Sequence, residues 1–495
     1  MSTATDQQTR EHAVVASVPD GLFIGGTWRP AASGATFGVE DPSVARELRT
    51  VADAGAEDAR AAAGAAAAAQ GAWAATAPRE RSEILRRAFE LLTDPRRREE
   101  LALLMTLEMG KPLAEARGEV AYAAEFFRWF AEEAVRIEGG YQTSPDGRDR
   151  FVIMRHPVGP ALLVTPWNFP LAMGTRKIGP AIAAGCTMIV KPAEQTPLTM
   201  LKLAEIMVEA GVPDGVLNVV TTSRPGEVVE PLLRGGAVRK LSFTGSTQVG
   251  RLLLEQSAQH VLRVSLELGG NAPFVVCEDA DLDKAVDGAM AAKMRNIGEA
   301  CTAANRLYVH ERVAADFAEK LAARMGALTV GRGTEPGVDV GPLIDEAGRG
   351  KVTQLVADAT ARGAKVLTGG GHAPGEGYFY SPTVLTGVPA DATMLHEEIF
   401  GPVAPILTFA SDDEAVAAAN DTPYGLVSYL FTENLDRAFR LAERLETGMV
   451  GLNKGVVSNP AAPFGGVKHS GLGREGGRVG IDEFLETRYL AMPLG

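Results

Sequence analysis

Cysteine is scarce in this chain: three residues in 495, at Cys186, Cys277 and Cys301. An odd, widely spaced trio excludes a disulfide framework and fits a reducing compartment, so a cytoplasmic location is expected. Cations are outnumbered too, 49 Lys and Arg against 62 Asp and Glu, a formal net charge of -13. Nucleic acid and anionic membranes both demand a basic face, and neither is expected as a partner. Small anions need only a local pocket and stay open. No uncharged apolar run approaches a membrane span, because Gly, Pro and charge interrupt the apolar stretches. The first twenty residues lack both a basic start and an apolar run. They are read as a loose terminus, neither signal nor transit peptide.

What is there is an ordinary globular composition, 46% hydrophobic and 22% charged. The length implies two or more domains. The 55 glycines and 29 prolines are spread like punctuation between short elements.

The chain opens with a short strand pair over residues 22–32, turned at Gly25-Gly26. Alanine-rich and amphipathic helices follow at 54–75, 79–92, 97–108 and 113–138. A polar turn at 144–147 leads to a strand at 150–155, an excursion suited to subunit contact. From Gly159 the period changes. Short Val, Ile and Leu runs at 161–166, 187–192, 216–220 and 238–245 alternate with helical stretches, and a second alternation begins at Val264. Alternation of this kind makes a parallel α/β sheet, which binds ligands at the carboxyl ends of its strands.

Polar residues do stand just after those runs: Pro166-Trp167-Asn168-Phe169-Pro170, Lys191-Pro192-Ala193-Glu194 and Thr244-Gly245-Ser246. The last is a glycine turn opening a helix, without the Lys-Ser/Thr of a phosphate loop, and alone it is weak. A lysine and a glutamate three apart after a strand suit a ribose diol. Glu267 lies between two leucines, and desolvation there would make it a stronger base near neutral pH. Cys301 lies among small residues in Asn296-Ile297-Gly298-Glu299-Ala300-Cys301. Alone it is better read as a buried small hydrophobe. None of the seven histidines forms a nearby Cys–His arrangement, and no metal site is assigned.

Taken together, PWNFP, KPAE, FTGS, LELGG, the Cys301 stretch and EEIFGP, in that order, resemble the NAD(P)-dependent aldehyde dehydrogenase superfamily from about Leu22 to Tyr489. The resemblance implies a Rossmann-like cofactor domain over 1–137 and 157–263, and an α/β catalytic domain over 264–476. It also implies a small β oligomerisation arm over 138–156 and 477–495, and homodimers or tetramers. It implies Cys301 as nucleophile, Glu267 as general base, and Asn168 with the Cys301 N–H as oxyanion hole. Lys191 and Glu194 match adenosine-ribose contacts, and Gly245 and Ser246 match a pyrophosphate contact. Glu398 matches the nicotinamide-ribose ligand, with Phe400 and Trp167 beside the cofactor. Glu194 should repel a 2′-phosphate, which favours NAD and leaves NADP possible.

Arg176, Arg295 and Ser458 match positions that succinate-semialdehyde dehydrogenases use for the distal carboxylate. Two guanidiniums and a hydroxyl on one carboxylate make a strong, directional clamp. Close relatives often carry a second cysteine two places after the nucleophile. Here that place is Ala303, so a disulfide switch through that pair cannot form. The expected substrate is succinate semialdehyde. A homologous semialdehyde such as glutarate semialdehyde, another aldehyde, cysteine-dependent ester or thioester hydrolysis, and a non-catalytic binding protein are the alternatives.

Overall fold

The computed structural model describes residues 4–494. Two large sheets carry the molecule. The first has eight strands in the order Gly471–Leu472, Arg263–Glu267, Lys240–Thr244, Ala161–Val164, Met188–Lys191, Leu217–Val219, Leu22–Ile24, Thr27–Arg29. The five from Arg263–Glu267 to Leu217–Val219 run parallel, and antiparallel strands close both edges. Every residue of Ala161–Val164, Met188–Lys191 and Lys240–Thr244 is buried, as a sheet covered on both faces requires. The crossovers are the helices Ala172–Ala184, Leu198–Glu209, Pro225–Arg234 and Thr247–Ala258.

The second sheet has seven strands, with Ala304–His310 and Ala272–Val276 paired parallel at its middle. A third sheet joins Leu485–Pro493, Asp149–Pro157 and Gly140–Thr143 in antiparallel register, from Leu485↔Pro157 to Pro493↔Asp149. Segments far apart in the chain thus form one ribbon. The outer strand Leu485–Pro493 is almost wholly exposed.

The elements outlined from the sequence are present, and three features depart from that outline. The amino terminus is a helix, Ala4–Ala16, not a loose segment; residues 1–3 lie outside the described residues. Its Val14 and Val15 are buried, and Glu11 pairs with Arg332 at 2.9 Å. With so few apolar residues, that contact leaves little periodic signal. A hairpin, Thr36–Asp41 with Arg46–Ala52, was not anticipated; its strands mix charge and apolar residues without clean alternation. Finally, Val264 does not open the second sheet. It lies in Arg263–Glu267, which pairs with Lys240–Thr244. The chain changes sheets between Glu267 and Ala272. Glu267 therefore ends a strand of the first sheet, while Cys301 precedes a strand of the second.

Candidate active site

A cavity of about 410 Å³ opens at the seam between the two large sheets. Trp167, Asn168, Arg176, Gly245, Ser246, Glu267, Arg295, Cys301, Glu398, Phe400 and Ser458 all line it. Lys191 and Glu194 do not. They sit at the end of the neighbouring strand, where Lys191 is in register with Val164.

Cys301 is presented by an unusual turn. After the helix Leu282–Met294 the chain takes three successive left-handed conformations, Asn296 (φ 54°), Ile297 (φ 62°) and Gly298 (φ 79°). For a β-branched isoleucine this costs about 1–3 kcal/mol, which surrounding contacts must offset. The Asn296 N–H donates to Glu115 at 2.7 Å, and its side-chain amide donates to the carbonyls of Asn168 and Glu299, each at 3.0 Å. Gly298 is required by contact as well as by φ, since a Cβ there would lie 2.3 Å from the Gly401 carbonyl oxygen. Cys301 is partly exposed, unlike the buried Cys186 and Cys277. Desolvation, then Glu398 and Glu267, push its thiol up to about 12, against opposing pulls from Arg176 and Arg295. Without further help the sulfur is protonated at neutral pH.

Asn168 is fixed from both ends. Its backbone carbonyl accepts from Lys111 Nζ at 2.8 Å as well as from Asn296. Its side-chain Nδ2 donates to the Glu299 carbonyl at 2.9 Å, leaving its second N–H for another acceptor. Lys111 is itself held by a buried ion pair with Glu119. Glu119 in turn accepts the N–H groups of Leu171 and Ala172 at 3.0 and 3.1 Å, at the start of the helix that carries Arg176.

Glu267 is buried, and its Oε2 has no hydrogen-bond partner. Desolvation and then Glu475 push its carboxyl well above the ordinary range; Arg176, Lys177 and Arg474 pull the other way. Burial also works against ionisation of Glu475, but Lys177 and Arg176 outweigh it and hold that carboxyl below its ordinary value. Two coupled carboxyls thus divide the roles: Glu475 keeps the charge and Glu267 holds a proton readily.

The two arginines differ. Arg176 is buried against the Phe464 ring, 3.7 Å from its centroid. Its Nε lies 2.6 Å from Glu475 Oε2, an ion pair outside hydrogen-bond alignment, and its Nη2 has no partner. Arg295 stacks on Phe169 and Tyr122 at 4.8 and 5.9 Å. It makes no hydrogen bond or ion pair among the described residues. Ser458 lies on the same wall.

Ser246, which also lines the cavity, caps the helix Thr247–Ala258, its hydroxyl accepting from the Val249 N–H at 3.3 Å. A Cβ at Gly245 would strike the Phe243 ring at 2.5 Å. Lys191 Nζ pairs with Glu194 at 3.2 Å. Glu398 accepts the Gly270 N–H at 3.2 Å, and burial raises its carboxyl to about 7. Phe400, at φ 54°, meets Trp167 edge-on, with centroids 5.3 Å apart.

Phe464, Tyr122, Phe169 and Glu299 line the cavity, Glu475 and Lys177 lie behind it against Arg176, and none of the six was given a role from sequence. Lys177 and Glu475 stood beside the singled-out Arg176 and in the glycine-rich stretch from Pro463, but nothing in the chain announces their pairing at 2.5 Å.

Residues 28–490 match the model of the aldehyde dehydrogenase family. A succinate-semialdehyde dehydrogenase of Paenarthrobacter nicotinovorans is 60% identical over 90% of this chain and 98% of its own. A glutarate-semialdehyde dehydrogenase of Pseudomonas putida is 51% identical over 95% and 97%. The crystal structure of an NADP-dependent enzyme of Escherichia coli, 50% identical, superposes with a TM-score of 0.95 over 96% of this chain and 98% of that one. The family match spans both large sheets and the cavity between them, and one conclusion follows: the chain belongs to the aldehyde dehydrogenase family.

Proposed function

We propose that this enzyme oxidises succinate semialdehyde to succinate with NAD, NADP being the alternative cofactor. The observation that carries the substrate is the pair of guanidiniums in the cavity, one unpaired (Arg295) and one with a free, buried Nη2 (Arg176). A buried cationic donor without a partner, as at Arg176, is costly, and a distal carboxylate would satisfy it and the half-buried Arg295 together. Ser458 adds a hydroxyl.

A dinucleotide fits the other side. A helix amino terminus capped at Ser246, at the carboxyl ends of parallel strands, suits a pyrophosphate. Lys191 and Glu194 would hold the adenosine ribose, Glu398 the nicotinamide ribose, with Phe400 and Trp167 beside the ring. The carboxylate of Glu194 disfavours a 2′-phosphate. The chemistry a bound nicotinamide dinucleotide supplies is acceptance of a hydride.

The chain's own groups do the rest. The Cys301 sulfur bonds to the aldehyde carbon, giving up its proton to Glu267 or to water. Charge on the former carbonyl oxygen is met by the remaining Asn168 N–H and the Cys301 backbone N–H; losing such a donor costs on the order of 10²–10³ in rate. At the thioester stage, Glu267 takes a proton from water, and the acid leaves as the sulfur is released.

Glutarate semialdehyde is the second reading, favoured by the Pseudomonas putida relative; one methylene is weakly discriminated, about 10–200-fold. The exposed strand Leu485–Pro493 supports a homodimer or tetramer joined through the three-stranded ribbon. Three unpaired cysteines support a cytoplasmic location.

Reduced-cofactor formation with succinate semialdehyde, glutarate semialdehyde and acetaldehyde, side by side, tests the assignment. Equal use of acetaldehyde would remove the arginine clamp. Turnover surviving in Cys301→Ala, a variant expected to bind cofactor still, would remove the covalent route.

A further inference from the structure

We propose that the distal carboxylate of the acyl group tunes the strength of the base Glu267, acting through Arg176 and Glu475. This rests on the reading of Arg176 as a carboxylate contact, and adds to it.

The Arg176 guanidinium bears on two carboxyls. Its Nε lies 2.6 Å from Glu475 Oε2, and its charge bears on Glu267. The charged and titratable groups facing Glu267 are few. Arg176 and Lys177 come from the helix Ala172–Ala184, Arg474 and Glu475 from the glycine-rich stretch, and the Cys301 thiol from the other sheet. Backbone closes the remaining side, for a Cβ at Gly465 would lie 2.8 Å from Glu267 Oε1. Arg176, Lys177, Glu267 and Glu475 are all buried, so a change of charge on one is felt by the others.

Arg176 Nε and Nη2 are both buried without a hydrogen-bond partner, and Nε is the one that lies against Glu475, which leaves Nη2 for a ligand. An acyl chain whose carboxylate takes that nitrogen adds a negative charge and draws on the guanidinium that Glu475 shares. Both changes reduce the positive field at Glu267 and raise its affinity for a proton. An uncharged acyl group of the same length leaves the field as it is.

The affected step is deacylation. A water oxygen bonds to the thioester carbon, its proton passes to the Glu267 carboxylate, and the C–S electron pair returns to Cys301 Sγ. A stronger base accelerates the proton transfer wherever it is ionised. The enzyme would then favour carboxylate-bearing acyl groups in turnover as well as in binding.

The test acylates the intact enzyme, in the presence of NAD, with succinate semialdehyde or with its methyl ester, which keeps the chain and removes the charge. Thioester decay is followed by rapid quench from about pH 5 to 9, and KM is measured for both aldehydes. The acid limb of decay should lie higher for the succinyl enzyme by about half a pH unit or more. Above the limb, decay of the succinyl enzyme should be several-fold faster. Coincident limbs, with KM still far lower for the free acid, would overturn the tuning and leave the clamp standing. Equal KM values would overturn both together. In Glu475→Gln the gap between the limbs should narrow; a gap of undiminished size would remove Glu475 from the coupling.

Discussion

Far apart in sequence, Arg176 Nε and Glu475 Oε2 meet 2.6 Å apart, buried behind the cavity that Arg176 lines, and Lys177 Nζ meets the other oxygen of the same carboxylate at 2.5 Å. One carboxylate therefore balances two buried cations. Glu475→Leu should cost about 3–5 kcal/mol of stability, because it leaves both without a counter-charge. Glu475→Gln should cost less, since its amide oxygen still accepts from Lys177. Denaturant midpoints compare the two; an unshifted midpoint in the leucine variant would show that the cations do not depend on this residue.

Arg295 stacks on two aromatic faces and makes no hydrogen bond or ion pair among the described residues. Arg295→Leu should raise KM for succinate semialdehyde about 10–100-fold, the worth of a charge-assisted hydrogen bond. The KM for an uncharged aldehyde should hardly move. Initial-rate kinetics on both substrates decide it, and an equal rise for both would count against a carboxylate contact.

The Cys301 thiol, pushed up to about 12, bears on reactivity in the cofactor-free protein. The thiolate is the alkylating form, so labelling of Cys301 by iodoacetamide should climb about tenfold per pH unit from neutral pH, with no plateau below about pH 10. Peptide mass spectrometry separates this site from the buried Cys186 and Cys277. A plateau near pH 7 would mean that the thiol is activated without cofactor.

Glu108 is buried beneath the helix Leu198–Glu209, accepting the Leu198 and Thr199 N–H groups at 2.8 and 2.9 Å. Desolvation outweighs those bonds and raises its carboxyl from 4.5 to about 8. The fold then binds this proton more tightly than the unfolded chain does. Its contribution to stability is complete below about pH 4.5 and is lost as pH rises through about 8. Glu108→Gln removes that slope, so its melting temperature should fall less than the wild type's between about pH 5 and 8. Parallel curves would place the Glu108 proton elsewhere.

The strands and helices around the cofactor side were legible because a buried parallel sheet writes itself as short Val, Ile and Leu runs ended by glycine or proline, as in Ala161–Val164 and Met188–Lys191. Cys301, Glu267 and Asn168 were legible as motifs, and the fold brings all three to one cavity. The change of sheet after Glu267 was not legible, because Val264 continues the same alternation and only the pairing with Lys240–Thr244 assigns it. Nor could the Arg176–Glu475 pair be read, since contact order leaves no mark on composition. The helix Ala4–Ala16 was hidden for a different reason: its stability comes from packing of a few valines and the Glu11–Arg332 pair, not from a strong apolar stripe.

Glu267 and Cys301, proposed above as base and nucleophile, belong to different sheets, and four residues, Leu268 to Asn271, carry the chain from the first sheet to the second. Chemistry here measures the alignment of two bodies. Either half could keep its own hydrogen-bond ladder intact and still be inert, because sliding one past the other by an ångström would separate proton acceptor from sulfur. Selection for turnover is then also selection for a stiff seam, and substitutions far from any reacting atom can silence the enzyme by loosening it.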